Sequence, residues 1–292
     1  MSMEDFDPNL LKELYHPSKN SSGEDNGQIV IIGGSKLFHG APILSLKAAS
    51  RVVDMVFFAS PEKSIEKIAA RIKSELSSFI WIPWEEVELY IKKSDVALIG
   101  PGFMRYSAEK NKYHVKNGNC DEACVLTRDI TKSLLSKFSN KRWVIDAGSL
   151  QSTEAEWIPP NSIITPNRKE FEMLFKENLD SDYKALVTKY SRKHNCTIVL
   201  KGPETIVASS EKAVIVKGGN AGLTKGGTGD VQAGLTAAFY AKNDAFLSAA
   251  AASYLVKKAA ESLFKKVGFH YNADDLANRI PKEYNNILKI TA

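Results

Sequence analysis

Cysteine is scarce in this chain: Cys120, Cys124 and Cys196 are the only three in 292 residues, which is no disulfide framework. Cys120 and Cys124 stand four apart, with His114 nearby and Asp121 and Glu122 between them. A structural zinc site needs a fourth soft ligand and usually a tighter cysteine spacing, so both read as surface-loop thiols. Apolar runs of about 18 residues are also missing, and the N-terminus, Met1-Ser2-Met3-Glu4-Asp5, is acidic where a leader would be basic and then apolar. A membrane partner is therefore not expected, and the expected location is cytoplasmic. The formal charge of +5 arises from 39 basic and 34 acidic residues scattered along the chain. Without a block of about five like charges, a nucleic-acid partner is not expected either.

Several catalytic signatures are absent. No Gly-x4-Gly-Lys-Ser/Thr loop follows the first apolar run, and the nearest approach to Gly-x-Gly-x-x-Gly, starting at Gly227, ends on Gln232. Neither a Gly-x-Ser-x-Gly elbow nor a His-Glu-x-x-His helix occurs. Walker-type, dinucleotide-fingerprint, serine-hydrolase and zinc-protease chemistry thereby lose their usual supports.

The apolar runs that are present are short and alternate with helical patterns. Strands are expected at 29–32, 54–59, 79–82, 96–99, 143–146, 162–164 and 197–200, with a hairpin formed by 205–208 and 213–216. Helices are expected over 41–53, 84–92, 123–138, from about 168, over 181–194, and in two alanine-rich stretches at 228–241 and 245–265. This alternation implies a three-layer α/β/α fold with a mostly parallel central sheet and helices on both faces. Neither a repeat nor a linker divides the chain, so residues 1–292 read as a single domain. The aperiodic stretch 104–121, rich in Lys, Asn and Tyr, reads as an exposed insertion.

Polar residues gather where the strands end: Gly33-Gly34-Ser35, Gly100-Pro101-Gly102, Asp146, Thr165-Pro166-Asn167 and Lys201-Gly202. Ligands of open α/β sheets bind beyond these carboxyl ends. The densest signal is Gly218 to Asp230, with glycine at 218, 219, 222, 226, 227 and 229, running into a helical pattern from Val231. Backbone N–H groups at a helix start form a site for phosphate. An acid at that place repels a phosphate, so Asp230 reads as a base aimed at a hydroxyl beside the phosphate chain.

The loop Gly227-Thr228-Gly229-Asp230 resembles the anion-hole signature of the ribokinase-like superfamily. With Ile31 to Ser35, Gly40-Ala41-Pro42, Gly100-Pro101-Gly102, Asp146-Ala147, Thr165-Pro166-Asn167 with Glu170, Lys201-Gly202 and Gly234, the ordered set over about 28–280 looks like the ADP/ATP-dependent NAD(P)H-hydrate dehydratase family. That resemblance implies a hydro-lyase returning the S-epimer of hydrated NADH or NADPH to NADH or NADPH. ADP or ATP and Mg²⁺ would be needed, because phosphorylating the ring hydroxyl turns it into a leaving group. It implies Asp230 as catalytic acid–base and a nucleotide site from Lys201, Gly202, Pro203, Glu204, Thr205, Asn220, Gly226, Gly227, Thr228 and Gly229. It further implies substrate contacts at Ala41, Gly102, Asp146, Asn167 and Asp230, and a water-mediated metal contact at Glu170. Relatives suggest a tetramer, and any epimerase is expected as a separate chain.

The sequence departs from that family at Asn167, where histidine is usual, at Gly148 of Asp146-Ala147-Gly148, and at Met104. Asn167-x-x-Glu170 is similar to vitamin kinases of the same superfamily, which keeps phosphorylation of a small alcohol as the alternative activity. Sugar kinases of the superfamily carry lid strands near the N-terminus, and the run 29–32 straight into Gly33-Gly34 leaves no room for them. Each site residue also has a plainer role. Asp230 could be a first-turn acid, Asp146 a cap, Asn167 and Glu170 a capping box, Lys201 a solvated charge, and Gly33-Gly34 a packing device.

Overall fold

The computed structural model describes residues 3–104, 122–179 and 182–290. The insertion expected at 104–121, with His114, Cys120 and Asp121, lies outside them apart from Met104. Ten strands, β1 (Glu4–Asp5), β2 (Gln28–Ile32), β3 (Met55–Ala59), β4 (Ile80–Ile82), β5 (Val96–Ile99), β6 (Arg142–Ile145), β7 (Ile163–Ile164), β8 (Thr197–Leu200), β9 (Thr205–Ala208) and β10 (Ala213–Val216), form one sheet. Their order is β1-β10-β9-β8-β7-β6-β5-β2-β3-β4. Among the described strands only β9, the first strand of the expected hairpin, runs against its neighbours.

Alternate residues of each strand enter opposite cores, as a two-residue period requires. On one face Ile29, Ile31, Phe58, Leu98 and Val144 pack beneath α1 (Gly40–Ala49), α8 (Thr228–Tyr240), α9 (Ala245–Val267) and α10 (Ala273–Ile290). On the other, Val30, Ile32, Phe57, Ile99 and Ile145 meet α3 (Val87–Lys93), α4 (Glu122–Lys137), α5 (Ala147–Ser152), α6 (Arg168–Phe175) and α7 (Tyr183–Lys193). The short α2 (Ser64–Ile72) contributes Ile65 and Ala69 to the first core. Each fully buried Ile, Leu or Phe stabilises the fold by roughly 2 kcal/mol relative to exposure.

Three helices depart from the sequence expectation. α2 does carry apolar residues at helical spacing, Ile65, Ile68, Ala69 and Ile72, which the expectation passed over, whereas α5 has only six residues and Pro281 stands inside α10. α10 holds nonetheless because Leu276, Ala277 and Ile280 are buried. The cysteine reading needs a correction too: Cys124 is a buried, disulfide-bonded residue of α4, not a surface thiol. Cys196 is free and buried.

The strand order reverses between β2 and β5: from β2 the sheet runs to β3 and β4, and from β5 to β6 and β7. The loops after these two strands meet, with the Gly34 N–H donating to the Pro101 carbonyl at 2.8 Å. A reversal of this kind opens a crevice at the carboxyl edge of the sheet.

Candidate active site

α8 crosses the sheet behind this crevice, and 11 of its 13 residues are buried. A helix apolar on all sides must be covered on all sides. α1 covers it closely: a Cβ on Gly234 would stand 2.3 Å from the Ser45 carbonyl oxygen, so only glycine fits at the crossing. The Ser45 hydroxyl donates to the Asp230 carbonyl at 2.8 Å, fixing the first turn of α8 against α1.

That first turn is built to take a ligand. Gly227, at the N-cap, has φ 92°, a left-handed conformation that glycine adopts without a steric cost. No side chain caps the helix; the Thr228 N–H donates to the Lys225 carbonyl at 3.4 Å, and the N–H groups of the first turn have no partner within the helix itself. The Thr228 hydroxyl is spent inside the loop, donating to the carbonyls of Leu223 at 2.7 Å and Lys225 at 2.9 Å. Lys225 turns away onto the carbonyls of Phe269 and Tyr271.

Opposite the helix start, β6, β7 and β8 bring Asp146, Thr165 and Lys201 together. Asp146 is the N-cap residue of α5, yet its side chain makes no capping bond. Its Oδ1 accepts from the Thr165 hydroxyl at 2.7 Å and from Lys201 Nζ at 2.9 Å. Ala147, next in the chain, has φ 47°, a strained left-handed residue of the kind that gathers at functional sites. A Cβ on Gly229 would lie 3.4 Å from Lys201 Nζ, so the ammonium links Asp146 to the α8 start. Burial draws the Lys201 pKa down, but Asp146, Glu170 and Asp230 together hold it above its ordinary value, so the side chain is charged.

Asp230 occupies the third position of α8. Burial first, and then the Asp146 carboxylate, push its pKa up to about 7, with Lys201 pulling the other way and Glu170 adding a smaller push. A carboxyl poised near neutrality is suited to proton transfer. Asp230 is also the first-turn acid of α8 that the plainer reading expects, half-buried at the cleft.

Asn167 and Glu170 start α6 with a reciprocal capping box. Asn167 Oδ1 accepts from the Glu170 N–H at 3.0 Å, and Glu170 Oε2 accepts from the Asn167 N–H at 2.8 Å. Glu170 Oε1 accepts from Gln151 at 2.7 Å.

A cavity of about 610 Å³ opens beside the α8 start. Of the residues expected for a nucleotide, Lys201, Gly202, Pro203, Thr205, Asn220, Thr228 and Gly229 line it. Gly226 and Gly227 lie next to it in the loop, whereas Glu204 faces Lys184 at 3.7 Å on the surface. The Asn220 side chain is engaged in the loop itself, accepting from Gly222 N and Tyr271 Oη and donating to the Ala260 carbonyl. Of the substrate set, Gly102 sits against Phe38, Pro42 and Gly34, at the start of α1, and Ala41 lies one turn before Ser45. Ala41, Gly102, Asp146, Asn167 and Asp230 thus share the carboxyl edge of the sheet.

Sequence reasoning missed the apolar walls of the cavity, Leu223 and Val256, and the buried Lys257. The signal for Lys257 was readable: it lies seven residues after Ala250 and four after Ser253, on the buried face of α9.

Residues 29–282 match the family model described as NAD(P)H-hydrate dehydratase. A bifunctional NAD(P)H-hydrate repair enzyme of Methanocaldococcus jannaschii is 36% identical over 203 residues, covering 68% of this chain and 35% of the relative. An ADP-dependent (S)-NAD(P)H-hydrate dehydratase of Nitrosopumilus maritimus is 30% identical over 215 residues, covering 68% of this chain and 67% of the relative. The chain spans about a third of the length of the bifunctional relatives, 34% and 35% in two of them. Among solved structures, the Bacillus subtilis ADP/ATP-dependent NAD(P)H-hydrate dehydratase co-crystallised with ATP and Mg²⁺ superposes with a TM-score of 0.78 at 19% identity. That superposition covers 98% of this chain and 99% of the other, a likeness of fold.

Proposed function

The chain belongs to the NAD(P)H-hydrate dehydratase family, and on that premise we propose that it restores NADH and NADPH from their S-hydrates at the expense of ADP or ATP. The observation carrying this reading is the pairing of an uncapped, glycine-led helix start with a carboxyl whose pKa stands near 7, three residues past the N-cap. A pure phosphate binder has no use for that acid. A phosphoryl transfer to a hydroxyl needs both parts.

In this reading the nucleotide lies in the cavity beside Lys201, its base between the apolar walls of Pro203, Leu223 and Val256 and its terminal phosphate at the N–H groups of Gly227, Thr228 and Gly229. The hydrate lies at the crevice between Gly102, Ala41 and Asn167. Asp230 takes the proton of the ring hydroxyl, and the oxygen attacks the terminal phosphorus as the nucleotide leaves. The ring nitrogen lone pair then expels phosphate, and loss of a proton from the neighbouring ring carbon restores the dihydronicotinamide. Lys201 and the helix start stabilise the charge on the moving phosphoryl group.

Among the described residues, no group of three or more His, Cys, Asp or Glu side chains converges as a metal site. Both Glu170 oxygens already accept hydrogen bonds, so it reaches an ion through water. That donor set fits Mg²⁺ carried by nucleotide phosphates, with water completing the shell. Such an ion would neutralise phosphate charge.

The capping box accounts for the spacing of Asn167 and Glu170, which was the specific support for a vitamin-kinase reading. We read the whole chain as one catalytic unit because the ten strands among the described residues form a single sheet, and as a cytoplasmic homo-oligomer, a tetramer by family likeness. Light scattering tests the oligomer. The activity is tested by mixing protein, Mg²⁺, ADP or ATP and hydrated NADH, and following recovery of reduced-nicotinamide absorbance. Absence of recovery with both nucleotides, together with phosphate transfer to a vitamin alcohol, would overturn the reading.

A further inference from the structure

The loops after β8 and β10 form facing walls of the cavity, and both are fastened to α9. The loop at 218–220 is held at three points: the Gly218 carbonyl accepts from Lys257 Nζ at 3.1 Å, the Gly219 N–H donates to Glu261 Oε1 at 3.0 Å, and Asn220 Nδ2 donates to the Ala260 carbonyl at 2.9 Å. Lys257 also reaches across to the other wall. Its Nζ donates to the carbonyls of Pro203 at 2.6 Å and Gly202 at 3.2 Å. The residue is 4% exposed, and a Cβ added to Gly219 would stand 3.1 Å from Lys257 Cγ, so its stem packs tightly beneath the loop. Neither loop carries a regular ladder between these contacts. A buried ammonium is costly unless its donors are met, and here three backbone carbonyls from two separate loops meet them.

We propose that Lys257 is a positioning residue for the nucleotide: its ammonium ties the 202–203 loop to the 218 loop and sets the width of the cavity that receives the base and ribose. This rests on the nucleotide reading of that cavity. It also assigns Lys257 a role distinct from Lys201, which faces Asp146 and the helix start. Its three donors are already taken by carbonyls, so none is left to hydrogen-bond a phosphate directly.

The test compares wild type with K257M, which keeps the length of the stem and removes the ammonium, and with K257A in the presence and absence of n-propylammonium. Titration with ADP and ATP in Mg²⁺ and steady-state kinetics are run on each, and hydrogen exchange reports the two loops. K257M should raise the nucleotide Kd and KM at least about tenfold while kcat at saturating nucleotide changes by no more than about twofold. The KM for the hydrate should stay put. Exchange of the 202–204 and 217–220 amides should rise together, and n-propylammonium should restore nucleotide affinity to K257A but not to K257M. Unchanged nucleotide affinity in a folded K257M overturns the proposal, as does a uniform fall in kcat and both affinities without chemical rescue. If the wild type binds neither nucleotide, the reading of the cavity fails. The exchange data then judge the tether separately, and loops that loosen only singly would overturn that as well.

Discussion

Lys201 Nζ stands 2.9 Å from Asp146 Oδ1, the lysine side chain one-fifth exposed and the aspartate side chain 2% exposed. This pair stands beside Asp230 and acts on it with both signs. Asp146 raises the proton affinity of Asp230 and Lys201 lowers it, while burial raises it most. The outcome near pH 7 is a balance among groups on three different elements.

Replacing Asp230 with Asn should lower kcat by roughly 10³-fold, within the span ascribed to a positioned base, while ADP and ATP still bind. Isothermal titration alongside the absorbance assay checks both halves. A variant that keeps more than a tenth of wild-type turnover removes the base role.

The rate should follow the ionisation of Asp230. Its carboxylate is the active form, so kcat/KM in the free enzyme should rise tenfold per pH unit below about 7 and level off above it. A profile flat between pH 5.5 and 8 would contradict the assignment.

The same ionisation has a stability cost of opposite sense. The folded-state pKa lies above the ordinary value of 3.8, so the native protein binds more protons than the unfolded chain between about 4 and 7, and stability falls as pH rises through that window. D230N lacks the penalty and should be more stable than wild type above pH 7, by on the order of 1–2 kcal/mol after solvent screening. Below pH 4 the difference should vanish. Denaturant unfolding at pH 4 and pH 8 measures it.

D146N removes a like charge from Asp230 and the partner of Lys201. The acid limb of the rate profile should move to lower pH, while stability should drop by on the order of 2 kcal/mol, because the ammonium is left partly buried beside a neutral amide. A limb that stays near 7 would mean that burial alone sets it.

G234A should cost about 1–3 kcal/mol, since the added carbon meets the Ser45 backbone at 2.3 Å and must push α1 from α8. Turnover should fall with it, because Ser45 anchors the Asp230 backbone. Thermal unfolding and the kinetic assay, run together, show whether the two losses travel as one.

Most strands, and the residues of the candidate site at their ends, were legible because the signals are local. An apolar run ending in glycine or a polar residue marks a strand end wherever it packs, and the Gly-rich loop marks a helix start open to anions. α10 was missed because a proline within a run, Pro281, reads as a helix stop, and the helix is held by what Leu276, Ala277 and Ile280 pack against. Asp146 looked equally like a cap or a ligand, since a carboxylate before a short helix serves either purpose. Asn167 and Glu170 had the spacing of a capping box and form one, yet Asn167 also lines the cavity.

The sequence by itself determined the order of the strands along the chain, the cradle at Gly227 to Gly229 and the acid that follows it, because these depend on neighbours within a few residues. Only the tertiary structure decided how that acid behaves and what frames the cavity. Lys201 meets Asp146, and Lys257 meets Gly202, each across 55 residues of chain. Burial and charge set proton affinity and loop spacing at distances where no sequence pattern reaches.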